Sequence, residues 1–138
     1  MNKSFSLYLK ELKKLNLPKG KYAIFGSGPI AIRGLRDTHD LDVIVKNDVY
    51  KDLCAKYPSQ IKTKPVNCIQ IGNLEIGNEW LNDPGQVDEM IDAAEIINDF
   101  PFVRLKYVLK WKKQMGREKD LKDVQLIEEY LQKSSKQK

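Results

Sequence analysis

Two aspartates, Asp40 and Asp42, stand in the stretch "DLDVIV", where Leu41, Val43, Ile44 and Val45 otherwise read as a buried strand. Successive side chains of a strand point to opposite faces, so Asp40 and Asp42 share one face, about 7 Å apart. Two carboxylates that close in apolar company repel each other and lose hydration. A hard divalent cation, Mg²⁺ or Mn²⁺, relieves both costs, because it prefers carboxylate oxygens and keeps room for substrate phosphates. The plainer alternative makes Asp40 the first residue of the strand and Asp42 a solvent-facing partner for a lysine.

Some dozen residues earlier, "GSG" (Gly26, Ser27, Gly28) follows the apolar run "KYAIF" and precedes Pro29, which fits the first turn of a helix. A strand that ends in such a turn and feeds a helix presents backbone N–H groups to a phosphate, glycine permits close approach, and Ser27 adds a hydroxyl. A tight turn needing positive φ at Gly26 or Gly28 explains the same residues. Gly34 lies too far on for a dinucleotide fingerprint, and the lysine of a Walker loop is missing. Together the turn and the aspartates form adjacent halves of a metal and nucleotide site.

The elements that must position these groups follow from periodicity. "SFSLYLKELKKLNL" has Phe5, Leu9, Leu12 and Leu15 at helical spacing behind Ser4 as N-cap. "KYAIF" and "DLDVIV" are strands, with a helix through "PIAIRGL" between them that would return the chain for parallel pairing. A helix over "NDVYKDLCAKY" stops at Pro58. "VNCIQIGNLEIGNEW" predicts two strands joined at Gly-Asn, the second shortened at Gly77-Asn78. A turn and short helix occupy "DPGQVDEMIDAA", a small hairpin "EIIND" and "FPFV", and two helices the last third, broken at Gly116. This order predicts an α/β (α+β) fold, a small mixed sheet flanked by helices.

The 138 residues suit one domain, 1–138, with a sheet core over 21–80 and C-terminal helices over 104–133. Cys54 and Cys68 read as free thiols, one histidine is too few for a zinc site, and no stretch is long and apolar enough to span a bilayer. A cytoplasmic protein that contacts no membrane is therefore expected. The net charge of +5 is compatible with nucleotides or nucleic acid, but RNA has only that charge behind it, with no aromatic platform or basic stripe.

The segment "GSGPIAIRGLRDTHDLDVIV" resembles the signature of the nucleotidyltransferase superfamily related to DNA polymerase β: apolar strand, Gly-Ser turn, short helix, then Asp-x-Asp. Residues 94–131 are similar, more loosely, to the tails of small stand-alone bacterial and archaeal members. The resemblance implies the polymerase-β-like nucleotidyltransferase fold and transfer of a nucleoside monophosphate, AMP from ATP, to an acceptor hydroxyl on a protein or small molecule. It implies a third carboxylate on a later strand, for which Glu75 is preferred because Leu74 and Ile76 flank it, with Glu79 as the alternative. In that scheme Asp40, Asp42 and Glu75 are catalytic and hold the metal. Gly26, Ser27, Gly28, Arg33 and Lys119 are candidates for nucleotide contact, with Arg36 and Arg117 as lesser ones. Trp80 could stack on a base, and Trp111 reads as core. The rival implied reading is a module that kept the fold but lost catalysis and docks a partner, as an antitoxin does.

Overall fold

The structure, a computed structural model, describes residues 3–63, 67–78 and 84–136. Helix α1 (Lys3–Leu15) buries Phe5, Leu9 and Leu12, the stripe its 3.6-residue period predicts. Strand β1 (Tyr22–Phe25) runs into the glycine-serine turn and the single turn of α2 (Gly28–Ala31), and β2 (Leu41–Val45) follows. Next come α3 (Asn47–Lys56), β3 (Ile61–Lys62), the hairpin β4 (Cys68–Ile71) and β5 (Leu74–Gly77), and α4 (Pro84–Asp92). A second hairpin, β6 (Glu95–Ile97) and β7 (Phe100–Phe102), precedes α5 (Leu105–Met115) and α6 (Glu118–Lys136). Gly116, at φ 62°, supplies the left-handed cap between the last two helices.

One mixed sheet of seven strands collects them in the order β3-β4-β5-β2-β1-β7-β6. Alternation along its strands divides the apolar side chains into two layers. Leu41, Val43 and Val45 of β2 pack with Phe5, Leu9 and Leu12 of α1 and Val49 and Leu53 of α3. Ala23, Phe25 and Ile44 point the other way, to Val87, Met90 and Ile91 of α4, Val108 of α5 and Ile127 of α6.

The first two strands are antiparallel, with Tyr22 opposite Val45 and Phe25 opposite Asp42, not parallel as expected. A parallel return requires a crossover that travels the length of the sheet. The helix that enters "PIAIRGL" ends at Ala31, Gly34 turns at φ 73°, and the segment to Asp40 stays at the end of the sheet where β1 leaves it. Parallel pairing occurs elsewhere, between β2 and β5 and between β1 and β7. The two-residue β3 was not anticipated, and both cysteines are free thiols. No helix among the described residues is long and apolar enough to cross a membrane.

Candidate functional site

Strand pairing builds the acidic centre. Asp42 is opposite Glu75 in the parallel β2–β5 ladder, and each lies between apolar neighbours that point to the α1 and α3 side. Both carboxylates therefore project toward the α4, α5 and α6 side. Asp40 precedes β2 rather than belonging to it. Its segment is pinned by bonds from the Leu41 N–H to the Asn73 carbonyl at 3.0 Å, from the Tyr8 hydroxyl to the His39 carbonyl at 2.9 Å, and from Thr38 Oγ1 to the Asp40 carbonyl at 3.0 Å. Oxygens of Asp40, Asp42 and Glu75 lie within 4.8 Å of one another.

Burial first, then repulsion from Asp40 and Glu75 and a hydrogen bond with Glu75, pushes the Asp42 carboxyl up to about 7, against a partial opposing pull from Lys112. The three groups thus hold more negative charge than the protein around them balances. An all-oxygen set of three carboxylates, one exposed and two half-buried, fits a hard divalent cation and is too poor in nitrogen and sulfur for zinc.

The turn sits directly on this centre. Gly26 has φ 64°, and a Cβ built on it would fall well inside van der Waals contact of Asp42 Oδ2. Gly28 is likewise closed to a side chain, by Ile24 Cγ2. Both glycines are needed, the first for a left-handed backbone and both for close approach. The Ser27 hydroxyl does not cap α2; its oxygen accepts a bond of 2.7 Å from Arg36 Nη2.

Behind the turn lies a second charged cluster. Arg36 grips Asp123 with Nε to Oδ1 at 2.6 Å and Nη2 to Oδ2 at 2.7 Å. Lys112 Nζ lies 2.9 Å from Asp123 Oδ2 and 3.5 Å from Asp120 Oδ1, with its side chain 5% exposed and those of Asp120 and Asp123 at 0% and 4%. The Arg117 guanidinium and N–H close the set on Asp120. Burial alone would push both aspartates up, but bonds from Arg36 and Lys112 hold Asp123 below the usual carboxylate range, and Arg117 with Lys112 does the same for Asp120.

The residues singled out from sequence divide accordingly. Asp40, Asp42 and Glu75 converge, with Gly26 against them. Arg33 is engaged with Glu95 and the Pro29 carbonyl and lies over the Tyr130 ring at 5.7 Å. Lys119 is exposed on the first turn of α6. Arg117 braces Asp120, the helix-start pairing that its i, i+3 spacing allows. Trp111 packs on Phe25, ring centroids 5.2 Å apart. Glu79 and Trp80 lie outside the described residues. Sequence reasoning passed over Lys112, although a signal existed: it continues the buried stripe Leu105, Val108, where an apolar residue belongs.

No protein-family model and no curated protein matches the chain. Among solved structures, a crystal structure described as a "putative nucleotidyltransferase" from Thermotoga maritima is similar to it, with a TM-score of 0.57 and 16% identity over 93% of this chain and 94% of that one. The chain has a nucleotidyltransferase-like fold: a seven-stranded mixed sheet flanked by helices.

Proposed function

We propose that the chain is a metal-dependent nucleotidyltransferase that moves a nucleoside monophosphate, AMP from ATP, onto the hydroxyl of a protein or small-molecule acceptor. The observation that carries this reading is the convergence of Asp40, Asp42 and Glu75 directly against the Gly26 backbone. Three clustered carboxylates call for a cation, and a glycine turn beside them gives the cation's phosphate ligands a place to lie.

Asp40, Asp42 and Glu75 would hold Mg²⁺ or Mn²⁺, which supplies charge neutralisation for the triphosphate and activation of the acceptor hydroxyl. Gly26 keeps the turn flush with the carboxylates, so the triphosphate can approach the backbone without a side chain between them. Ser27 and the neighbouring N–H groups orient the β- and γ-phosphates, leaving the α-phosphorus before the acidic centre. The acceptor oxygen forms a bond to the α-phosphorus, the bond to the α–β bridging oxygen breaks, and pyrophosphate departs with its electron pair. Glu75 takes the acceptor's proton. Arg33 and Lys119 belong to the proposal only as outer contacts, Arg33 after release from Glu95.

The rival module without catalysis has no need of a third carboxylate beside the first two, and the position of Glu75 favours the enzyme. Calorimetry of ATP binding with and without Mg²⁺, for the native protein, Asp40→Asn and Asp42→Asn, tests the reading. Binding that requires Mg²⁺ and disappears in both variants is expected. Absent ATP binding, or binding indifferent to metal and substitution, overturns it.

A further inference from the structure

We infer that Arg36, clamped by Asp123, is a positioning residue that sets the Ser27 hydroxyl as a donor toward a nucleotide phosphate. The inference deepens the nucleotidyltransferase reading and rests on it.

A hydroxyl carries one proton and two lone pairs, and its torsion is free until a partner fixes it. Arg36 Nη2 fixes it by donating to Ser27 Oγ at 2.7 Å. The approaching N–H drives the hydroxyl's own proton away from the guanidinium. The hydroxyl oxygen takes no N–H of α2 as a helix cap, so Arg36 rather than the helix sets its orientation.

The guanidinium itself has little freedom left. It makes four bonds: Nε and Nη2 to the two oxygens of Asp123, Nη2 to Ser27, and Nη1 to the Asp37 carbonyl at 2.8 Å. A guanidinium has five N–H donors in a rigid plane, so four such bonds determine its orientation. An arginine reserved for direct contact with a triphosphate would keep its paired face open. This one turns that face inward, to a carboxylate 4% exposed that Lys112 also holds at 2.9 Å. Rigidity passes from the buried Lys112–Asp123 pair through Arg36, whose side chain is 34% exposed, to the half-buried hydroxyl. Lysine keeps the charge but has no planar fork, so it loses the paired contact with Asp123 and the orientation that contact imposes.

A brace that only held the turn to α6 would produce the same contacts, and a mutant cycle separates the two. Mg²⁺-dependent ATP binding is measured by calorimetry for the native protein, Ser27→Ala, Arg36→Lys and the double variant, with Mn²⁺ binding alone and thermal unfolding as parallel readouts. Each single substitution is expected to weaken ATP binding about tenfold, the scale of one hydrogen bond to a charged group. The double variant should bind no more weakly than Ser27→Ala, because Arg36 has nothing to act through once the hydroxyl is gone. Affinity for Mn²⁺ should stay at the native value throughout. Losses that multiply in the double variant, or native affinity in Arg36→Lys, overturn the inference and leave the nucleotidyltransferase reading standing. A native protein that binds no ATP overturns both. If Arg36→Lys fails to fold, Arg36→Gln enters the same cycle under the same criteria.

Discussion

Two clusters of charged side chains lie on the same side of the sheet, and they are built on opposite terms. In the Arg36, Lys112, Asp120, Asp123 and Arg117 cluster every carboxylate faces cations, and both aspartates are held below the usual range. In the Asp40, Asp42 and Glu75 cluster like charges face one another, and the Asp42 carboxyl is pushed up to about 7. A protein that pairs two buried aspartates directly with lysine and arginine has given the other three carboxylates only a partial pull from the same cations. Compensated charge serves the fold, whereas uncompensated charge waits for something from outside.

Removing one charge from each cluster should therefore act on turnover in the first case and on stability in the second, and the largest effect is on activity. Asp42→Asn should lower nucleotidyl transfer by on the order of 10³-fold or more, about 4 kcal/mol in the barrier, in a radiolabelled-nucleotide assay. Comparable turnover in the variant would remove the distinction between the clusters. Next in size, Lys112→Met leaves Asp120 and Asp123 buried with less compensation and should lower stability by about 3 kcal/mol in urea titration. A loss below about 1 kcal/mol would mean that the second cluster is not structural.

The pH dependence has a definite sign. Without metal, the folded state binds a proton at Asp42 more tightly than the unfolded chain does, so this group's contribution is favourable below pH ~4 and is lost as pH rises through about 7. The loss should be a few kcal/mol in metal-free protein, Asp42→Asn should abolish it, and Mg²⁺ should reduce it. Asp123, with its lowered carboxyl, contributes in the reverse sense: its stability is present above the unfolded value and fades as pH falls below it. A smaller effect is expected from Gly26→Ala, which combines a positive φ with a clash against Asp42 and should cost about 1–3 kcal/mol while weakening Mn²⁺ binding. Smallest of all, breaking the exposed Lys46–Asp92 pair should change stability by less than about 1 kcal/mol and leave metal binding untouched.

The acidic centre was legible because its signals are local. Asp40 and Asp42 stand out beside an apolar strand, and alternation sends Asp42 and Glu75 to one face, whereas the expectation of a third carboxylate came from the family resemblance and Asp40 lies ahead of β2. The glycine turn was legible for the same reason. What escaped was nonlocal. Nothing in "PIAIRGL" announces that its helix ends after one turn and leaves β1 and β2 antiparallel, because that outcome depends on which partners flank the two strands in the sheet. Lys112 escaped because it stands among Lys106, Lys110 and Lys113, where a lysine reads as solvated; only its phase with Leu105 and Val108 sets it apart.

Arg36 and Asp123 are 87 residues apart in the chain. Synthesis proceeds from the N-terminus, so the glycine turn, both aspartates and Glu75 leave the ribosome well before α6 does. A nascent chain halted after α5 already carries all three clustered carboxylates, yet its serine turn still lacks the carboxylate that anchors Arg36. Closing a loop of that length is entropically costly and is offset only when the helix docks. The order of translation thus separates gathering the three carboxylates from bracing the glycine-serine turn, and the second event is deferred to the last helix.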